Sequence, residues 1–140
     1  LTVTGRINAK SDVKIGSNLV SSAAVSTSTV DTIFVDIFPA TDFTTVKYLI
    51  QVTNPYAVSL IPTDFHVSEL ILVYDGTTNP STSVYISQYG ILTNNGELGT
   101  FDGTYAGGYV RLQFTPSKAA NYVGGNISVQ AMRTALKTGV

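Results

Sequence analysis

Val46-Lys47-Tyr48-Leu49-Ile50-Gln51-Val52-Thr53 decides the fold. Val46, Tyr48, Ile50 and Val52 occupy one set of alternate positions, and Lys47, Leu49, Gln51 and Thr53 the other. A period of two is that of a strand with one face on a core. Asn54-Pro55 ends the run, because proline has no N–H to give to a ladder.

Outward from this stretch the same pattern recurs. Ile33, Val35 and Ile37 alternate with Phe34, Asp36 and Phe38 before Pro39. Phe65 to Tyr74 and Ser83 to Leu92 flank an Asp75-Gly76-Thr77-Thr78-Asn79-Pro80 turn and predict a hairpin with a long loop. Asn94-Asn95-Gly96 predicts a tight hairpin, since Asn-Gly supplies positive φ cheaply. Leu98 to Tyr105, Tyr109 to Thr115 and Ile127 to Leu136 complete the set. No stretch of ten or more residues carries a helical period. The expectation is an all-β chain folded as an antiparallel β-sandwich, jelly-roll-like.

The opening differs. Leu1, Val3, Gly5, Ile7 and Ala9 alternate with polar residues, and Val13 and Ile15 form a second short strand. Strands this short and small-sided cannot close a core alone, so residues 1–20 are expected to be a shaft-like β segment whose burial comes from stacking or from other chains. Ser21 to Thr29 is rich in Ser, Thr and Ala and reads as a linker, leaving 30–140 as the sandwich domain. Beginning with Leu1 rather than Met, the chain is expected to be cut from something longer.

The 140 residues are enough for one core. Lys and Arg number 8 against 9 Asp and Glu, so no basic excess points to nucleic acid or to an anionic membrane, and no apolar run is long enough to insert into one. Cysteine is absent, which excludes disulfides, thiolate metal sites and cysteine nucleophiles.

Chemistry is short of parts. His66 is the one histidine, with Asp64 on the same strand face, but no Gly-x-Ser-x-Gly elbow exposes a nucleophile. One histidine does not make a usual zinc site. Asp36, Asp42, Asp64, Glu69, Asp75, Glu97 and Asp102 are the acids from which a hydrolase pair would be drawn, yet no spacing singles out two of them. Asp75-Gly76 and Asp102-Gly103 read as turns rather than calcium loops. No catalytic residue, metal or cofactor is therefore expected. For ligand contact the candidates are Tyr89, Tyr105, Tyr109, Tyr122 and Asn95, because Tyr and Asn suit adaptable recognition surfaces. Low charge with Ser (13) and Thr (19) in surplus also suits chains that pack permanently against identical copies.

Leu1-Thr2-Val3-Thr4-Gly5-Arg6-Ile7 with Val13-Lys14-Ile15-Gly16-Ser17-Asn18 resembles rungs in the shafts of bacteriophage tail fibres. Val67-Ser68-Glu69-Leu70 through Tyr89-Gly90-Ile91-Leu92 and Gly96 to Asp102 is similar to a domain of virion structural proteins of marine tailed phages, cyanophages especially. The ending Arg111 to Pro116 and Val129 to Ala135 is similar as well. The resemblance implies a virion-surface structural role in a tail fibre or capsid decoration, as a homotrimer among other virion proteins, with host surface polysaccharide as a further partner. It supplies no catalytic motif. A carbohydrate-binding β-sandwich module and a small polysaccharide hydrolase are the alternative readings.

Overall fold

The computed structural model describes residues 4, 12–16, 18–58, 62–79 and 82–137. The strand expected over Leu1 to Ala9 lies outside the described residues, Thr4 apart. Nine strands follow in chain order: β1 (Val13–Ile15), β2 (Asn18–Thr27), β3 (Ile33–Pro39), β4 (Phe43–Pro55), β5 (Thr63–Tyr74), β6 (Val84–Thr93), β7 (Gly99–Ala106), β8 (Tyr109–Pro116) and β9 (Ile127–Lys137). There is no helix among the described residues.

Two antiparallel sheets face each other. Sheet A runs β1-β2-β9-β4-β5-β6 and sheet B runs β3-β8-β7. The inward positions of the deciding stretch, Val46, Tyr48, Ile50 and Val52, are fully buried, and they meet Leu70, Leu72, Val129 and Ala135 within their own sheet. Val110, Leu112 and Phe114 of β8 answer from the other layer, with the Phe101 and Phe114 rings 4.9 Å apart. Each such aliphatic side chain contributes about 1.5–3 kcal/mol of burial free energy.

Three expectations are corrected. The Ser/Thr/Ala segment is no linker over 21–27: Ser21 to Thr27 pairs residue for residue with Arg133 to Ile127. Small side chains suit a strand whose outward Ser22, Ala24 and Ser26 meet solvent while Ala23 and Val25 turn inward. The Asn94-Asn95-Gly96 turn is not a hairpin but carries the chain from β6 in sheet A to β7 in sheet B. Gly96 does take the positive φ of 81° that the turn demands. Finally, the alternation in β3 breaks at a bulge between Phe34 and Asp36, so Val35 and Phe38 are buried while Phe34 and Ile37 are exposed.

Candidate functional site

Three polar groups are bonded into or beside the interior. The first spans the two sheets. Past the β3 bulge, Asp36 accepts from Arg133 Nη1 at 2.9 and 2.7 Å and from the Tyr48 hydroxyl at 2.8 Å. Arg133 Nε donates to Ser21 on β2, and its guanidinium lies 5.8 Å from the Phe43 ring and 6.0 Å from the Phe38 ring. Burial, and then the Asp36 carboxylate beside it, push the Tyr48 hydroxyl far above its ordinary pKa. A phenol so placed donates a hydrogen bond and does not ionise.

The second group gathers at one end of the sandwich. Asp64 is 2 % exposed and accepts from Lys118 Nζ at 2.6 Å, Tyr56 Oη at 2.9 Å, and the amides of Asn95 and Asn121 at 3.1 Å each. Burial would raise this carboxyl, but the bonds from Lys118, Asn121, Tyr56 and Asn95 outweigh it and hold it at about 2. Asn121 also closes on Asn54, donating from its backbone to Asn54 Oδ1 and from its side chain to the Asn54 carbonyl. Asn94 pins the next turn by accepting from Phe65 N and donating to the Thr63 carbonyl.

The third is His66, fully buried on β5. Its Nδ1 accepts from the Leu98 amide at 3.3 Å, so the neutral ring carries its proton on Nε2. The Gln88 amide nitrogen lies 3.1 Å from Nε2 and 3.2 Å from Ser68 Oγ; with the ring proton on Nε2, this amide accepts there only when oxygen and nitrogen are exchanged. Phe101 meets the ring edge-on at 6.1 Å. Burial lowers the imidazole pKa, opposed more weakly by Glu97. His66 and Asp64 share a strand face as the spacing predicts, but each is bonded to other partners.

The remaining acids make local bonds. Asp75 Oδ1 accepts from Thr77 N and Asp102 Oδ1 from Gly103 N, the turn-making role read from the sequence. Glu69 pairs with Lys47 at 3.3 Å on the outer face of sheet A. Among the described residues no three of His, Asp and Glu gather as metal ligands.

The residues expected to contact ligand do not form one concavity. Tyr89 stands exposed on β6, on the outer face of sheet A. Tyr105 stacks on Tyr74, centroids 5.3 Å apart and planes 8° from parallel. Tyr109 is exposed just after the Gly107-Gly108 turn between β7 and β8. Tyr122, between β8 and β9, lies over Gly125, where a Cβ would sit 2.5 Å from its ring. Asn95 belongs to the Asp64 cluster. Sequence reasoning missed Tyr56, Lys118 and Asn121; the signal available was Asp64 itself, an acid at an inward strand position, which demands partners.

No family model matches this chain, and no curated protein matches it. Among solved structures it is similar to the tailspike protein of Acinetobacter phage vB_ApiP_P1, with 13% identity, a TM-score of 0.48, and coverage of 99% of this chain and 24% of that one. It is similar also to the tailspike protein of Acinetobacter baumannii phage AM24, with 12% identity, a TM-score of 0.41, and coverage of 86% of this chain and 27% of that one. The chain thus spans about a quarter of the length of each.

Proposed function

We propose that the chain is a non-enzymatic structural module of a tailed-phage virion, a tail-fibre or capsid-decoration unit at the virion surface. It works among identical subunits, as a homotrimer, beside other virion proteins, and contributes to host attachment. One observation carries the non-enzymatic reading: of the groups best placed for acid–base work, Asp64 and His66 are buried and Asp36 is part-buried, and all three are bonded within the framework. A general acid or base needs a lone pair or proton turned toward substrate, and these turn theirs inward. For attachment, exposed Tyr109 at the β7–β8 turn is the aromatic offered to a surface polysaccharide.

The test has two arms. Gold-labelled antibody against the chain is applied to purified virions, and the chain is incubated with extracted host polysaccharide while reducing ends are assayed. The expected outcome is label on the virion surface and no release of sugar. Unlabelled virions, or release of reducing ends, overturn the reading.

A further inference from the structure

The outer face of sheet A carries exposed apolar side chains among mostly uncharged polar ones. Cross-strand register sets Met132 beside Leu49, and Leu136 and Val73 on either side of Thr45, while Phe65 closes the opposite end beside Thr53. All five apolar side chains are exposed. Lys47 and Glu69 are the charged residues in this register, and they neutralise each other. Between β2 and β5 the face is roughly 19 Å across and 30 Å long by strand spacing and rise, about 600 Å² before side-chain relief is added. One side of a stable protein–protein interface is about 800 Å².

We propose that this face, from β2 across β9 and β4 to β5, is where a second copy of this chain packs, sheet against sheet. The inference rests on the reading of the chain as a module working among identical subunits, and names the surface. Charge selects the occupant. Lys47 and Glu69 form a pair that an identical face can complement with its own, whereas a strongly charged partner would find no counter-charges. Relief agrees with this. Leu49 and Met132 line one side of a shallow groove of ≈ 460 Å³ floored by Ser22 and Ala24 of β2, so ridge and groove lie side by side on one surface. Facing sheets pack about 10 Å apart with side chains interleaved, which such relief permits.

The experiment is light scattering on the full chain across a dilution series. Wild type is expected at two or three times the mass of one chain. The double variant L49K/M132K is expected at the mass of one chain, with unchanged far-UV circular dichroism, because both side chains already meet solvent in the single chain. Val123→Lys, at an exposed site between β8 and β9, is expected to associate like wild type. A wild-type monomer at the highest soluble concentration overturns the inference. So does L49K/M132K at wild-type mass, or Val123→Lys dissociating equally, which would make net charge rather than this face the cause. Virion labelling separates the two proposals: a monomer that labels virions keeps the virion-surface role and sinks this surface together with the homotrimer.

Discussion

Replacing Asp64 by Asn keeps the shape of the side chain and removes its charge from beneath four donors. The Oδ2 position serves Lys118 and Asn121, and the Oδ1 position serves Tyr56 and Asn95. The new amide places its nitrogen least badly at Oδ1, because the Tyr56 hydroxyl can turn and accept, and Asn95 then loses its carboxylate partner. Lys118 keeps a neutral acceptor only. A hydrogen bond to a charged group contributes about 1.5–3 kcal/mol, and a neutral one about 1. Lys118 is 40 % exposed, so water recovers part of the difference. The balance is a loss of about 2 kcal/mol at neutral pH. At about 2.1 cal/mol/K per residue, that lowers Tm by about 7 °C in a chain of 140 residues.

Acid supplies the control. The folded carboxyl sits at about 2, below the ordinary 3.8, so the unfolded chain takes up the proton first. The contribution of Asp64 is therefore complete above about pH 4 and is lost as pH falls through about 2. Urea titrations of wild type and Asp64→Asn at a series of pH values measure the gap directly. It should be widest at neutral pH and close as pH falls toward 2. A gap under about 0.5 kcal/mol at pH 7, within the range of ordinary surface substitutions, refutes the reasoning. A gap that persists unchanged in acid refutes it equally, since it would then owe nothing to the charge.

Arg133→Met strips Asp36 of its ion pair and leaves a carboxylate whose side chain is only 9 % exposed with the Tyr48 hydroxyl and the Ile37 amide as its donors. The expected loss is about 3 kcal/mol in urea unfolding, the low end for breaking a buried pair, and wild-type stability would show that the pair holds nothing together. His66 should stay neutral at mildly acid pH because burial lowers its pKa. Its folded value lies below the unfolded 6.5, so its contribution to stability is full above that pH and falls as pH drops. Ring-proton chemical shifts followed by NMR would report this, and a ring that titrates at or above 6.5 contradicts the buried, singly protonated imidazole.

What was legible in the sequence was what neighbours within one strand decide. The inward row Val46, Tyr48, Ile50 and Val52 needs only a period of two, and the extents of β5 to β9 follow from the same rule and from turn residues. What failed turned on partners far along the chain. Ser21 to Thr27 looks like a linker because Ser, Thr and Ala give weak contrast between faces, yet pairing with β9, 100 or more residues away, makes it strand. Asn94-Asn95-Gly96 shows that the chain turns and holds no information about which sheet receives it. The β3 bulge is invisible for a related reason: Phe34 and Phe38 are equally apolar, and only the register against β8 decides which is buried.

The polar interior divides the same way. That Asp64 and His66 share a face is local, and spacing shows it. That they do separate work is not local, since the partners of Asp64 arrive from positions 56, 95, 118 and 121. An acid two residues from a histidine invites a catalytic reading until the competing donors are in view, because each carboxylate oxygen taken by Lys118 or an amide is withdrawn from the imidazole. The outer row of β4 gives the converse case. Lys47, Leu49, Gln51 and Thr53 point away from the core, and folding the single chain leaves the apolar Leu49 there 46 % exposed. Burial against a second copy would give that position its worth. Charge at Leu49 and Met132 should therefore move association and leave the fold of the single chain in place, whereas charge at Tyr48 or Ile50, one residue away on the same strand, should unfold the chain.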